Sequence, residues 1–182
     1  MSVVEDLIER YERFVKLPWS ATVAGPERVW MLVYPSGDER RLRARITELE
    51  IATKQADHEW DLVDLTDQFA KWMAQQEYRE SYFERPEDMT MVLQSFGKHL
   101  ETKLLEHLDA GSANTVTAVM GLGTLFSLYS VSELIDSVTD RITGRLLALF
   151  PGVREGNNYR LLDAKDGWNY LAIPIDLSED LQ

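Results

Sequence analysis

The sequence predicts an α/β protein built on a mainly parallel sheet flanked by helices on both faces, with a C-terminal β-hairpin. Three observations carry that prediction. Arg28 to Tyr34 (Arg-Val-Trp-Met-Leu-Val-Tyr) is a nearly continuous apolar run, the pattern of a strand covered on both faces. From residue 28 to residue 150, extended segments alternate with segments of helical periodicity. Parallel strands joined by right-handed crossovers then follow.

The elements come in this order. Ser2 and Glu5 form a capping box, and Val4, Leu7, Ile8, Tyr11 and Val15 share one helical face before Pro18. After the first strand, Pro35-Ser36-Gly37-Asp38 breaks the chain. Ser36 and Glu39 form a second predicted capping box, and Leu42, Ile46 and Leu49 continue a helix. Glu59 to Leu65 reads as a strand, and Thr66 or Asp67 caps a helix carrying Phe69, Trp72 and Met73. Tyr78 to Pro86 reads as a connection. Glu87 to Leu108 reads as a long helix with Met89, Val92, Leu93, Phe96, Leu100, Leu104 and Leu108 as its stripe, ended by Gly111-Ser112-Ala113-Asn114. Thr115 to Met120 is a third strand. A helix over 125–141 turns Leu128, Val131, Leu134, Ile135, Val138 and Ile142 inward. Arg145 to Phe150 is a fourth strand, stopped by Pro151-Gly152. Tyr159 to Leu162 and Asn169 to Ile175 are the hairpin strands, with Asp166-Gly167 in the turn. One domain is expected over 1–182: an N-terminal helix (1–17), an alternating core (28–150) and the hairpin (151–175). The arrangement is Rossmann-like or P-loop-like, without a P-loop.

Charge and composition narrow the function classes. The chain has 31 acidic and 19 basic side chains, a formal net charge of −12, which disfavours direct nucleic-acid binding through phosphate neutralisation. It has no cysteine, so thiol catalysis, disulfides and Cys-based zinc sites are excluded. Charged residues stud positions 1–16, unlike a signal peptide, and no stretch reaches the roughly 18 apolar residues of a membrane helix. A cytoplasmic location is expected.

No catalytic motif emerges, and neither an enzyme nor a cofactor is expected. Gly97-Lys98 is followed by His99 inside a helix, so a P-loop is missing. There is no Gly-x-Ser-x-Gly elbow. Gly121-Leu122-Gly123 follows a strand and precedes a helix, but Phe126 stands where a dinucleotide fingerprint needs its third glycine. A tight turn with close packing of helix on strand explains the pair more simply. Any ligand site is expected at the carboxyl ends of the strands, near Gly121, Gly123, Pro35 and Asp64. Asp61, Asp64 and Asp67 could hold Mg²⁺ beside a phosphate, although capping and solvation account for them more simply, and no metal is expected. His58, His99 and His107 lack the companions of a catalytic or zinc site, and His99 and His107 are expected at solvent-facing or flank positions. Trp19, Trp30, Trp60, Trp72 and Trp168 read mostly as core. Trp168 and Tyr170 are also candidates for partner-binding anchors.

A resemblance lies in the C-terminal third. Leu149-Phe150-Pro151-Gly152 ends a strand, Gly156-Asn157-Asn158-Tyr159-Arg160-Leu161 follows, and Asp166-Gly167-Trp168-Asn169-Tyr170 opens an aromatic-rich final segment. Upstream stand Gly121-Leu122-Gly123-Thr124-Leu125-Phe126 and Val33-Tyr34-Pro35 with Asp38-Glu39-Arg40. Over residues 28 to 175 this pattern resembles the BrxB family of BREX phage-defence systems. The Leu-Leu-Asp and Asp-Gly-Trp-Asn-Tyr wording departs from the commoner pattern, as in a divergent BREX type. The resemblance implies a non-catalytic adaptor or scaffold that contacts a PglZ-like phosphatase-fold protein and a BrxC-like ATPase. It brings no catalytic residues. The alternative expectation is a degenerate nucleotide-binding protein using the strand-end crevice.

Overall fold

The computed structural model describes residues 2–178. Helix α1 (Val3–Val15) opens on the predicted capping box: Ser2 Oγ accepts from the Glu5 amide and Glu5 Oε2 accepts from the Ser2 amide. Its five predicted apolar residues are all buried. Strand β1 (Val29–Tyr34) is buried at every position. Two consecutive helices, α2 (Glu39–Ala44) and α3 (Ile46–Gln55), lead to β2 (Glu59–Asp64). Helices α4 (Gln68–Ala74), α5 (Arg79–Glu84) and α6 (Leu93–Ala110) precede β3 (Thr115–Met120), and α7 (Val131–Val138) precedes β4 (Arg145–Glu155). Short strands β5 (Asn158–Leu161), β6 (Trp168–Asn169) and β7 (Ile173–Ile175) complete the sheet.

The main sheet has the order β2-β3-β4-β1-β7, and every pairing along it is parallel. β5 and β6 add antiparallel pairs at one end, so the sheet as a whole is mixed. Side chains alternate across a strand, and β1 distributes its residues accordingly. Val29, Met31 and Val33 join a cluster with Trp72, Phe96, Leu100, Leu134 and Val138 from α4, α6 and α7. Trp30, Leu32 and Tyr34 join a second cluster with Leu7, Tyr11, Leu42 and Leu49 from α1, α2 and α3. The Tyr11 hydroxyl bonds Thr53 Oγ1 at 2.7 Å, tying α1 to α3 inside that second core.

Six expectations are corrected. The Ser36–Glu39 capping box does not form: Ser36 opens a 3-10 turn and makes no side-chain cap, because Glu39 is taken by Tyr34 and Arg43. The 78–86 connection contains α5. The long helix starts at Leu93, since Pro86 sets a 3-10 turn over Pro86–Met91 first. The helix over 125–141 shrinks to α7, begun by Ser130, which caps the Glu133 amide; Ser127, at φ 65°, turns the chain away from helix upstream. Finally, Pro151-Gly152 does not stop β4. Tyr34 still pairs with Pro151, and from Gly152 the strand changes partner and runs antiparallel to β5 around Gly156-Asn157. Gly152 permits this because a Cβ there would lie 2.0 Å from the Arg160 carbonyl oxygen. The predicted strand over 169–175 splits accordingly. Trp168–Asn169 pairs with β5, whereas Ile173–Ile175 becomes an edge strand beside β1, where Pro174 is tolerated for want of an N–H.

Candidate functional site

The parallel strands end together, and their carboxyl termini build a crevice. Tyr34 closes β1 with its ring buried and its hydroxyl bonded to Glu39. Burial, reinforced by that carboxylate, pushes the phenol well above its usual range. Arg43, one turn beyond Glu39, donates to Asp64 Oδ2 at 2.9 Å, to Thr66 Oγ1 at 2.8 Å and to Glu39 Oε1 at 3.3 Å. Asp64 ends β2, and its Oδ1 accepts from the Thr66 amide at 3.0 Å and the Thr66 hydroxyl at 2.6 Å. Partial burial opposes its charge, but Thr66 and Arg43 outweigh it and hold the carboxyl below the usual range. For Arg43 the order is similar: desolvation works against the cation, and Asp64 with Glu39 raises it above its ordinary value. Thr66 is diverted from capping α4, and Asp67, at the cap position, makes no side-chain cap bond.

The two glycines serve this corner. Gly121 has φ 82°, and a Cβ there would stand 2.7 Å from both the amide nitrogen and the hydroxyl of Thr66. Gly123 lies against Pro151 and Leu162. Together with Ser36, Glu39, Arg43, Thr66 and Thr124 these residues line a cavity of about 290 Å³. That volume falls at the small end of ligand pockets, roughly 300–1,000 Å³. The guanidinium most able to meet a phosphate is already held by three acceptors.

The three aspartates proposed as a cluster part company. Asp64 belongs to the crevice, whereas Asp61 Oδ2 pairs with His107 Nδ1 at 2.7 Å beside the edge strand β2. Among the described residues no group of three or more His, Asp or Glu side chains gathers as a metal site would need. All three histidines have partners. His58 stacks on Trp19 at 3.6 Å and bonds Asn114, and His99 meets Gln68 Oε1 at 3.2 Å. His99 and His107 are therefore half-buried and bonded rather than simply facing solvent.

A second site lies where β4 leaves the main sheet. Phe126, Tyr129, Phe150, Tyr159, Leu161 and Trp168 line a hollow of about 450 Å³. Phe150 and Tyr159 meet edge-to-face at 5.8 Å, and Trp168 adjoins Tyr159 at 6.2 Å. Burial pushes the Tyr159 phenol up to about 12. Phe126 is 41% exposed at this site. Gly97 contributes from inside α6, where glycine costs about 1 kcal/mol relative to alanine. A Cβ at Gly97 would lie 2.1 Å from the Tyr129 ring, so its absence lets that ring rest on the helix. Of the two aromatic anchor candidates, Trp168 lines the hollow. Tyr170 is buried, with its hydroxyl 2.7 Å from Thr139 Oγ1, and belongs to the core.

Sequence patterning missed Arg43, Tyr34 and Gly97. The Glu39–Arg43 spacing of four was the available signal for the first; Tyr34 and Gly97 acquire their roles only through residues distant in sequence. No family model, curated protein or solved structure matches the chain. Among the described residues no helix is long and apolar enough to cross a membrane.

Proposed function

We propose that this chain is a non-catalytic adaptor or scaffold subunit of a BREX-type bacteriophage-defence complex, acting in the cytoplasm and binding a PglZ-like phosphatase-fold protein and a BrxC-like ATPase. In fold it is read as a Rossmann-like sheet, without a P-loop, sandwiched between the α1–α3 group and the α4–α7 group. One observation carries the reading. Four of the segments that bear the BrxB-like pattern meet at one hollow: Phe126 from 121–126, Phe150 from 149–152, Tyr159 and Leu161 from 156–161, and Asp166, Gly167 and Trp168 from 166–170, while the segment over 33–40 does not line it. A concave aromatic surface with a half-exposed rim is the form an interface anchor point takes.

The test is co-purification of the tagged chain with its candidate partners, wild type against Phe126→Glu. Phe126 is exposed enough for the charge to leave folding intact. Wild type is expected to co-elute stoichiometrically, and the variant to lose affinity by about thirtyfold or more, as for a hot-spot residue. Wild type eluting alone from both partners sinks the reading. The second reading, a degenerate nucleotide-binding protein, draws support from the cavity at Gly121, Gly123 and Arg43. It requires thermal stabilisation by ATP, GTP or NAD, about 2.7 kcal/mol at ligand one hundred times Kd.

A further inference from the structure

The opposite, amino-terminal ends of the same strands frame a different pocket, of about 460 Å³. Arg28 stands immediately before β1 and Arg145 is the first residue of β4; both line it, together with Trp19, Ser20 and Asp140. Arg145 is buried, 5% exposed. Its Nη1 donates to the Gly144 carbonyl at 2.9 Å and its Nη2 to the Ser20 carbonyl at 2.8 Å. Arg28 donates to the carbonyls of Thr143, at 2.6 Å, and Ala21, at 3.0 Å. Neither guanidinium has a carboxylate within ion-pair distance among the described residues, although the chain carries 31 acidic side chains.

That arrangement is electrostatically incomplete. A buried cation without a counter-charge is costly, and a second cation beside it adds repulsion. Desolvation and the nearby Arg28 both press the Arg145 guanidinium below its ordinary value. Each guanidinium brings five N–H donors in a planar fork, and the carbonyl bonds use only two of them on each. Trp19, in the same wall, has a buried indole Nε1 with no acceptor among the described residues. Its ring already carries His58 stacked at 3.6 Å and the Arg145 guanidinium at 4.9 Å. It therefore offers no platform for a nucleobase, which favours a compact anion over a nucleotide.

We infer that the pocket between Arg28 and Arg145 binds a phosphate-type oxyanion, free or carried as a phosphomonoester on a small molecule. Paired guanidinium forks match phosphate oxygens bidentately. Exposed Asp140 is the one carboxylate lining the pocket among the described residues, and it sets the affinity below what two unopposed arginines would give.

The test is calorimetric titration of the full chain with inorganic phosphate and, separately, with glycerol phosphate, at ionic strength matched with chloride. Saturable one-to-one binding of at least one probe is expected, with a rise in Tm that saturates alongside it. Tighter binding of glycerol phosphate marks the ester as the natural form; equal or weaker binding marks the free ion. Arg28→Gln is the informative variant, because Arg28 is half-exposed and its loss spares the buried Arg145. It should weaken binding about tenfold, the equivalent of one charge-assisted hydrogen bond. The absence of saturable binding, or an affinity unchanged in Arg28→Gln, overturns the inference; the second result would place the bound anion elsewhere on the chain.

Discussion

The two ends of the parallel sheet handle charge in opposite ways. At the carboxyl ends, Arg43 is enclosed by Glu39, Asp64 and Thr66, and each polar group satisfies another. At the amino ends, Arg28 and Arg145 donate to carbonyl oxygens, with no carboxylate within ion-pair distance among the described residues. Open α/β sheets usually hold ligands beyond their carboxyl ends. Here that crevice is internally neutralised, with a cavity of about 290 Å³, while the larger pocket and the uncompensated cations lie at the other end. Position in the fold suggests where to look for a site, but charge balance decides whether a ligand is wanted there.

The largest expected effect breaks the self-contained end. Gly121→Ala forces a side chain into left-handed backbone, about 1–2 kcal/mol, and drives its Cβ against Thr66, an overpacking cost of about 1–3 kcal/mol. Urea denaturation should show a loss of about 3 kcal/mol. A loss under about 1 kcal/mol would mean that the corner is pliable and that its closure to ligands is not fixed.

Smaller effects sharpen the contrast. Arg43→Met should cost about 1 kcal/mol, since its pairs are partly exposed and surface pairs contribute little. The pH dependence carries a definite sign. Asp64 titrates below the ordinary carboxylate value when folded, so its stabilisation is present above that ordinary value, about 3.9, and is lost as pH falls through the folded one. Asp176, buried and paired with Arg154 at 2.5 Å, behaves in the same way: burial opposes its charge, but Arg154 and Ser178 prevail and lower its pKa. Unfolding free energy measured down through this acid window should fall in the wild type and fall less steeply in Asp64→Asn. Among the described residues, Arg28 and Arg145 have no carboxylate within ion-pair distance whose protonation could add to that slope. Equal slopes in the two proteins would remove Asp64 from the account.

Much of this fold was legible because local rules and tertiary contacts agree. The capping box of α1, the apolar run of β1 and the Thr115–Met120 strand each satisfy propensity and burial together. The failures fall where a long-range partner overrides a local rule. Glu39 abandons its capping box for Arg43 and Tyr34, and Pro151-Gly152 continues β4 because β5 supplies a new antiparallel partner. Topology alone points to a strand-end crevice near Gly121, Gly123, Pro35 and Asp64; the two glycines line it, whereas Asp64 bonds its lining residues Arg43 and Thr66 and Pro35 does not line it. Trp168 and Tyr170, two residues apart, could not be separated by pattern; burial and the Thr139 hydroxyl assign Tyr170 to the core. The amino-end pocket was invisible for a stronger reason. Trp19, Arg28 and Arg145 are joined by no periodicity, and the importance of the two arginines lies in having no carboxylate within ion-pair distance among the described residues.

The smallest stability effect isolates that last feature. Asp140 is exposed and lines the amino-end pocket. Asp140→Asn keeps the shape of the side chain and removes its charge. Stability should stay within about 0.5 kcal/mol of wild type, as for ordinary surface substitutions. Phosphate should nevertheless bind more tightly, because repulsion from the rim is gone while both guanidinium groups remain, and the gain should shrink as added salt screens the field. Unchanged affinity at low ionic strength would place the bound anion away from Asp140 and from the pocket it shares with Arg28 and Arg145. Tighter binding with unchanged folding would show that the two ends differ in how their charges are balanced.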